Sequence, residues 1–245
     1  MIAAADQVTS VRIGPLYDII IPHFGIADTP AYAVRCLQTI RQYSRQYRQY
    51  RIILVDNGGD GWDEVAAELQ HHPHLLIRNT ENIGFVRAVN VGFMSSTAPY
   101  VVLMNNDAEA APGWLEILRR PLDDWANVGM SGPRSTDGGW QTRTKITHTC
   151  VLPPGGMLAF FCTMFRRKMV DEIGLQDEAF VPYAGFGGDD HYCWLAEQRG
   201  WRLALCGDLV IPHKRRTTMR AVHGEDAMNE MQVAALAKFR EIQVR

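Results

Sequence analysis

Asn105-Asn106-Asp107 stands directly after the apolar run Tyr100-Val101-Val102-Leu103-Met104. Three polar side chains at the end of a buried segment are costly unless solvent or a ligand satisfies them. The Asp107 carboxylate offers hard oxygens of the kind that hold Mg²⁺ or Mn²⁺. Such a cation neutralises charge developing on a departing diphosphate. Asn105 can contact a ribose or a metal-bound water, and Asn106 belongs with it; a plain polar strand end is the alternative. Asp56-Asn57-Gly58-Gly59 has the same placement after Arg51-Ile52-Ile53-Leu54-Val55. Its Asn-Gly-Gly turn needs positive φ. The Asp56 carboxylate can accept from a base N–H or a ribose hydroxyl, or cap the next helix.

Further clusters have similar chemistry. Pro22-His23-Phe24 ends the first apolar run, and Asn82-Ile83-Gly84-Phe85 opens a helical segment with Arg87 and Asn90 in its first turns. A helix start with a nearby Arg suits a phosphate or ribose, and is equally an ordinary cap. Asn82, Gly84 and Arg87 are therefore candidates alongside Pro22 and His23. Gly187-Gly188-Asp189-Asp190 follows an aromatic, Gly-rich loop. Adjacent carboxylates on a glycine hinge suit a general base for a hydroxyl, while Asp at a helix start is also a common cap. His213 ends Leu209-Val210-Ile211-Pro212; a structural or surface role is the commoner one for such a His. Lys214-Arg215-Arg216 with Arg220 reads as a diphosphate clamp or a solvated loop, with a phosphate-bearing acceptor such as nucleic acid left open.

These clusters need a scaffold that brings them together. Residues 17–22, 51–56, 74–77 and 100–104 are short apolar runs rich in β-branched residues, as parallel strands covered on both faces require. Between them, Pro30 to Tyr47, Trp62 to Gln70 and Phe85 to Ser95 have helical spacing. The alternation predicts right-handed crossovers and an open, mostly parallel, doubly wound α/β sheet with helices on both faces. Ligands of such sheets bind beyond the strand C-termini, where the polar clusters fall. In the second half, Arg134 to Thr149 reads as a mobile loop and Met157 to Phe165 as a strand. Asp189 to Arg199 reads as a helix, Trp201 to Leu205 and Leu209 to Pro212 as short strands, and Asp226 to Ile242 as an amphipathic helix. Without repeat, linker or low-complexity tract, the chain reads as one domain.

Composition removes several classes. With 47% hydrophobic residues, a sizeable core is expected, and a net charge of −2 does not suit a globally basic nucleic-acid binder. Five cysteines without a C-x-x-C pair suggest neither a zinc knuckle nor a disulfide framework, but buried thiols in a reducing compartment. No signal peptide or apolar run of about 20 residues is visible, so a soluble, cytoplasmic protein without an integral membrane segment is expected. Neither G-x-G-x-x-G after a strand nor a P-loop occurs.

The order Ile20-Ile21-Pro22, Val55-Asp56-Asn57-Gly58, Asn82-Ile83-Gly84-Phe85 with Asn90, Asn105-Asn106-Asp107 and Pro112-Gly113-Trp114-Leu115 resembles glycosyltransferase family 2. Asn-Asn-Asp in place of Asp-x-Asp is similar to its rhamnosyltransferase-like branch. Phe165-Arg166-Arg167 to Gly174-Leu175, Asp177-Glu178-Ala179-Phe180, Gly188-Asp189 and His213 continue the match, over roughly residues 16–216. The resemblance implies a GT-A fold and inverting transfer from a UDP- or dTDP-sugar to a hydroxyl on a glycan or other acceptor. It implies that Asp56 and the segment near Pro22 hold the base, that Asp107 and His213 bind Mn²⁺ or Mg²⁺ and the pyrophosphate, and that Asp189 is the base. Asp190 is its rival, because Gly188-Asp189 stands where the family has Glu-Asp. His23 and Phe24 replace a common Thr/Tyr-Asn. On this basis residues 16–133 form a donor subregion, 134–224 an acceptor and catalytic subregion, and 225–245 a C-terminal helix. A sugar-nucleotide-forming nucleotidyltransferase would want a basic loop after the first strand, which residues 22–28 lack. A non-catalytic nucleotide-sugar-binding module is the third class.

Overall fold

The structure, a computed structural model, describes residues 14–45, 49–137, 139–214 and 217–244. The first half alternates as expected: β1 (Tyr17–Gly25), α1 (Thr29–Ser44), β2 (Tyr50–Gly59), α2 (Trp62–Leu69), β3 (His74–Arg78), α3 (Phe85–Ser95) and β4 (Tyr100–Met104). Then follow α4 (Trp114–Asp124), β5 (Val128–Ser135), α5 (Trp140–Arg143), β6 (Thr149–Val151), β7 (Cys162–Arg166) and α6 (Arg167–Ile173). A 3-10 helix (Glu178–Tyr183), α7 (Gly188–Gln198), β8 (Arg202–Ile211), α8 (Thr217–His223) and α9 (Glu225–Gln243) complete the chain. Tyr47, at the expected end of α1, and Arg215-Arg216 of the basic cluster lie outside the described residues.

The strands form one sheet in the order β3-β2-β1-β4-β7-β5-β8-β6. β7 runs antiparallel between β4 and β5, and β6 antiparallel to β8; the other pairs are parallel. The C-termini of β1, β2, β4, β5 and β8 therefore share one edge. Side chains alternate across the sheet at period two. Ile19, Ile21, Ile52 and Leu54 join α1, α2 and α4 in one core, and Ile20, Ile53, Val101 and Leu103 join α3, α6 and α7 in the other. Both faces are covered, which is why these strands read as continuous apolar runs.

At the opposite edge, Asp18 is fully buried. Its carboxylate accepts from Arg51 Nε (2.9 Å) and Nη2 (3.0 Å), Ser96 Oγ (2.9 Å), and the Thr97 (2.7 Å) and Ala98 (3.0 Å) N–H groups. Burial pushes its pKa up, but these donors outweigh it, Arg51 most, and hold it below the ordinary value. The knot locks β1 to β2 and to the α3–β4 connection.

Several expectations need correction. Arg134 to Thr149 is not all loop, because Arg134 and Ser135 pair with β8 and residues 140–143 form a helical turn. The strand expected over Met157 to Phe165 begins only at Cys162. The two short strands expected from Trp201 onward are one, β8, whose pairing with β5 shifts register between Pro133 and Arg134 to accommodate Gly207, Asp208 and Leu209. A bulge of this kind interrupts the apolar pattern without ending the strand. In α9 the expected apolar stripe is only partly inward: Met228 and Ala235 are buried, while Leu236 is 39% exposed.

Candidate active site

A cavity of about 670 Å³ opens over the shared strand edge. Pro22, His23, Asn82, Gly84, Arg87, Asn105, Asn106, Asp107, Asp189, Asp190 and His213 line it, whereas Asp56, Asn90, Lys214 and Arg220 do not. β1 contributes Pro22 and His23, and the β4 exit contributes Asn105, Asn106 and Asp107. Asn82, Gly84 and Arg87 come from the α3 start, Asp189 and Asp190 from α7, and His213 from the β8 exit.

The Asp107–His213 pair is built by the backbone. Ala108 and His213 form an antiparallel bridge, Glu109 N–H donates to Pro212 O (2.8 Å), and Lys214 N–H donates to Asp107 O (3.0 Å). Phe161 stacks on the imidazole at 4.7 Å and 10°. His213 Nε2 thereby lies 3.2 Å from Asp107 Oδ1, with Asn105 Nδ2 3.4 Å from the same nitrogen. Asp107 Oδ1 and Asn105 Oδ1 are buried and form no hydrogen bond. Orphaned hard oxygens beside an imidazole nitrogen fit a divalent cation, whose neighbouring octahedral ligands stand about 3 Å apart. Among the described residues no group of three or more His, Cys, Asp or Glu could hold a metal. A cation here would therefore take its remaining ligands from substrate phosphates and water, as Mg²⁺ commonly does.

Across the cavity, Gly187 (φ 76) turns the chain into α7 and sets Asp189 and Asp190 in its first turn. Asp189 Oδ1 accepts from the Asp190 N–H at 3.1 Å. Burial, then the neighbouring Asp190 charge, pushes Asp189 up to about 7, and burial raises Asp190 as well. A carboxylate poised near neutrality suits general-base work. The loop before α7 is pinned to α3 by a two-way amide clamp: Asn90 Nδ2 donates to Gln176 O and Gln176 N–H to Asn90 Oδ1, both at 2.9 Å.

The nucleotide-side candidates are less uniform. His23 is buried, with Nδ1 3.0 Å from Asn106 Nδ2 and Nε2 without a partner. Burial lowers its pKa against the pull of Asp56, so the ring is neutral at pH 7. Asp56 lies beside the cavity, where Oδ1 accepts from the Gly58 N–H (3.0 Å) and Oδ2 from Arg78 Nε (2.9 Å). Arg78 in turn sits 4.3 Å over the Trp62 ring. The Gly58-Gly59 turn has its expected positive φ (84° and 90°), and a Cβ on Gly59 would stand 2.1 Å from Gly25 O. Asn82 Oδ1 accepts from the Gly84 N–H at 2.9 Å, so it shapes the α3 start. Arg87 is paired with Glu178 at 2.9 Å, both side chains being half exposed.

Sequence reasoning missed Arg78, Trp140, Gln176 and Thr217. Thr217 Oγ1 donates to Asp107 Oδ2 at 2.5 Å, and Trp140 and Gln176 line the cavity. Trp140 and Gln176 sit in no polar cluster at a strand end or helix start, the signals that found the others, whereas Arg78 ends β3 in such a cluster and Thr217 follows the basic run after His213, and neither was used.

Residues 18–174 match the sequence profile of Glycosyl transferase family 2. The chain belongs to that family. This family 2 glycosyltransferase is 24% identical over 180 residues to the N-acetylglucosaminyl-diphospho-decaprenol L-rhamnosyltransferase of Mycobacterium tuberculosis, covering 56% of this chain and 58% of the relative. It thus spans little more than half the length of that relative. Its fold is similar to that of GalNAc-T7 solved with UDP, GalNAc and Mn²⁺ (TM-score 0.62, 15% identity, 80% of this chain and 42% of that one). It is also similar to the Pyrobaculum calidifontis mannosyltransferase PcManGT in complex with GDP-Man and Mn²⁺ (TM-score 0.61, 17% identity, 84% and 59%). S. aureus TarS 1-349 gives a TM-score of 0.66 at 11% identity, covering 89% and 64%. These glycosyltransferase structures establish the GT-A architecture of the family 2 chain. No helix among its described residues is long and apolar enough to cross a membrane.

Proposed function

We propose that the chain transfers a sugar from a UDP- or dTDP-sugar to an acceptor hydroxyl by a single inverting displacement. The observation that carries this reading is one cavity holding Asp107 and His213 on one wall and the raised carboxyl of Asp189 on another. Asp189 takes the hydroxyl proton while the acceptor oxygen bonds to the anomeric carbon. The bond from that carbon to the diphosphate breaks, and its electron pair leaves with the diphosphate. A Mn²⁺ or Mg²⁺ held by Asp107 and His213 supplies charge neutralisation for the leaving group. Neighbours solved with UDP or GDP-Man and Mn²⁺ support that assignment. In this reading His23 and Pro22 orient the nucleoside, and Arg87 the phosphates.

The acceptor is a glycan or a lipid-linked saccharide. The rhamnosyltransferase relative, named for a diphospho-decaprenol acceptor, supports the second form, as does an apolar wall of Trp140, Met157, Phe186, Met219 and Leu236. Five free cysteines suit a reducing, cytoplasmic setting. The test is to incubate the full chain and Mn²⁺ with UDP- and dTDP-sugars and lipid-linked or free saccharides, reading nucleotide release and product configuration by NMR. Retention of the anomeric configuration, or no release with any pair, would overturn the reading.

A further inference from the structure

Thr217 opens α8 with its hydroxyl 2.5 Å from Asp107 Oδ2. That donation occupies one carboxylate oxygen and leaves the other, Oδ1, facing His213 Nε2 at 3.2 Å. An Asp side chain turns readily about its last torsion. Here the backbone of Asp107 is held by the Lys214 N–H, and Thr217 fixes the carboxylate itself. A hydrogen bond to an ionised acceptor is about twice as strong as a neutral one.

The same bond bears on α8. This helix has no buried residue, yet Thr218, Met219 and Val222 line the cavity, and Gln232 and Leu236 of α9 continue that wall. With so little apolar burial, one charge-assisted hydrogen bond is a large share of what seats α8 over the cavity.

We propose that Thr217 is a positioning residue that aims Asp107 Oδ1 at His213 and thereby couples the seating of α8 to cation binding. The inference rests on reading Asp107 and His213 as the cation's ligands. Coupling between binding events is reciprocal: seated α8 raises affinity for the cation and nucleotide, and these in turn hold α8 in place.

The experiment uses the full chain with Thr217→Val and Thr217→Ser. Mn²⁺ affinity is read by electron paramagnetic resonance in the presence of UDP, and tryptic cleavage after the exposed Arg220 by mass spectrometry. Thr217→Val should weaken Mn²⁺ binding about tenfold. It should also speed cleavage after Arg220 several-fold and remove the protection that Mn²⁺ with UDP gives. Thr217→Ser should stay within about twofold of wild type in both readouts. If Thr217→Val misfolds by circular dichroism, Thr217→Ala takes its place with the same expected losses. Mn²⁺ affinity or Arg220 protection left unchanged in the folded variant overturns the coupling while sparing the cation reading. A wild-type chain that binds no Mn²⁺ with UDP overturns both.

Discussion

His213 Nε2 and Asp107 Oδ1 face each other at 3.2 Å inside the protein, and Asn105 Nδ2 lies 3.4 Å from the same imidazole nitrogen. Two acceptors at that spacing are unfavourable without a shared cation or proton, so the pair acts as one unit. Asp107→Asn and His213→Ala should each lower Mn²⁺-dependent turnover by about 100-fold or more, and the double variant should lose little beyond either single one. A double-mutant cycle on kcat/KM at fixed Mn²⁺ measures this. Fully additive losses would show that the two residues do not share a ligand.

Arg87 presents a simpler contrast. Its ion pair with Glu178 is exposed, so it contributes well below about 1 kcal/mol to stability. If Arg87 turns to the donor's phosphates, Arg87→Ala should raise the donor KM about tenfold, while Glu178→Gln should leave it unchanged or lower it. Thermal midpoints of both variants should match wild type. Equal KM values in all three proteins would remove Arg87 from the donor site.

The strands that carry the site were legible because burial on both faces writes itself as unbroken apolar runs, as in Ile19 to Ile21 and Ile52 to Val55. Their polar ends followed from topology, and the cavity gathers them. What was illegible depends on contacts between distant segments. Asp56 looked like a ligand-facing carboxylate, but Arg78 and the Gly58 N–H satisfy it beside the cavity. β5 escaped notice because Gly129, Gly132 and Pro133 interrupt its pattern, although its neighbours bury it. Thr217 looks like any hydroxyl in a polar stretch, and only the bridge between Ala108 and His213 brings its segment to Asp107.

Asp18 tests the opposite edge of the sheet. Removing a buried, fully hydrogen-bonded carboxylate leaves Arg51 and two backbone N–H groups without their acceptor, so Asp18→Ala should cost about 3–5 kcal/mol. Because its native pKa is depressed, its contribution is present above the unfolded pKa near 3.8 and is lost as pH falls through the native value. Urea unfolding at pH 7 and at pH 3 should therefore show the gap between wild type and variant shrinking in acid. A gap that is constant with pH would mean that Asp18 acts through packing and not through its charge.

The sign is reversed at Asp189. Burial and the Asp190 charge raise its pKa from 3.8 to about 7, so the native site binds more protons than the unfolded chain between those values. Stability contributed by this group is full at acid pH and falls as pH rises toward 7. Transfer has the opposite slope, since a base must be ionised: kcat should climb through about pH 7 and level above it. Asp189→Asn should lower kcat about 10³-fold with UDP affinity within about twofold, the range expected for loss of a general base. The same variant should melt higher than wild type at pH 8 and equal to it at pH 4. Asp190→Asn removes the neighbouring charge, so the rising limb should move to lower pH while turnover persists. If Asp190→Asn abolishes transfer and Asp189→Asn spares it, the proton goes to Asp190, and the raised carboxyl of Asp189 instead serves to hold its neighbour in place.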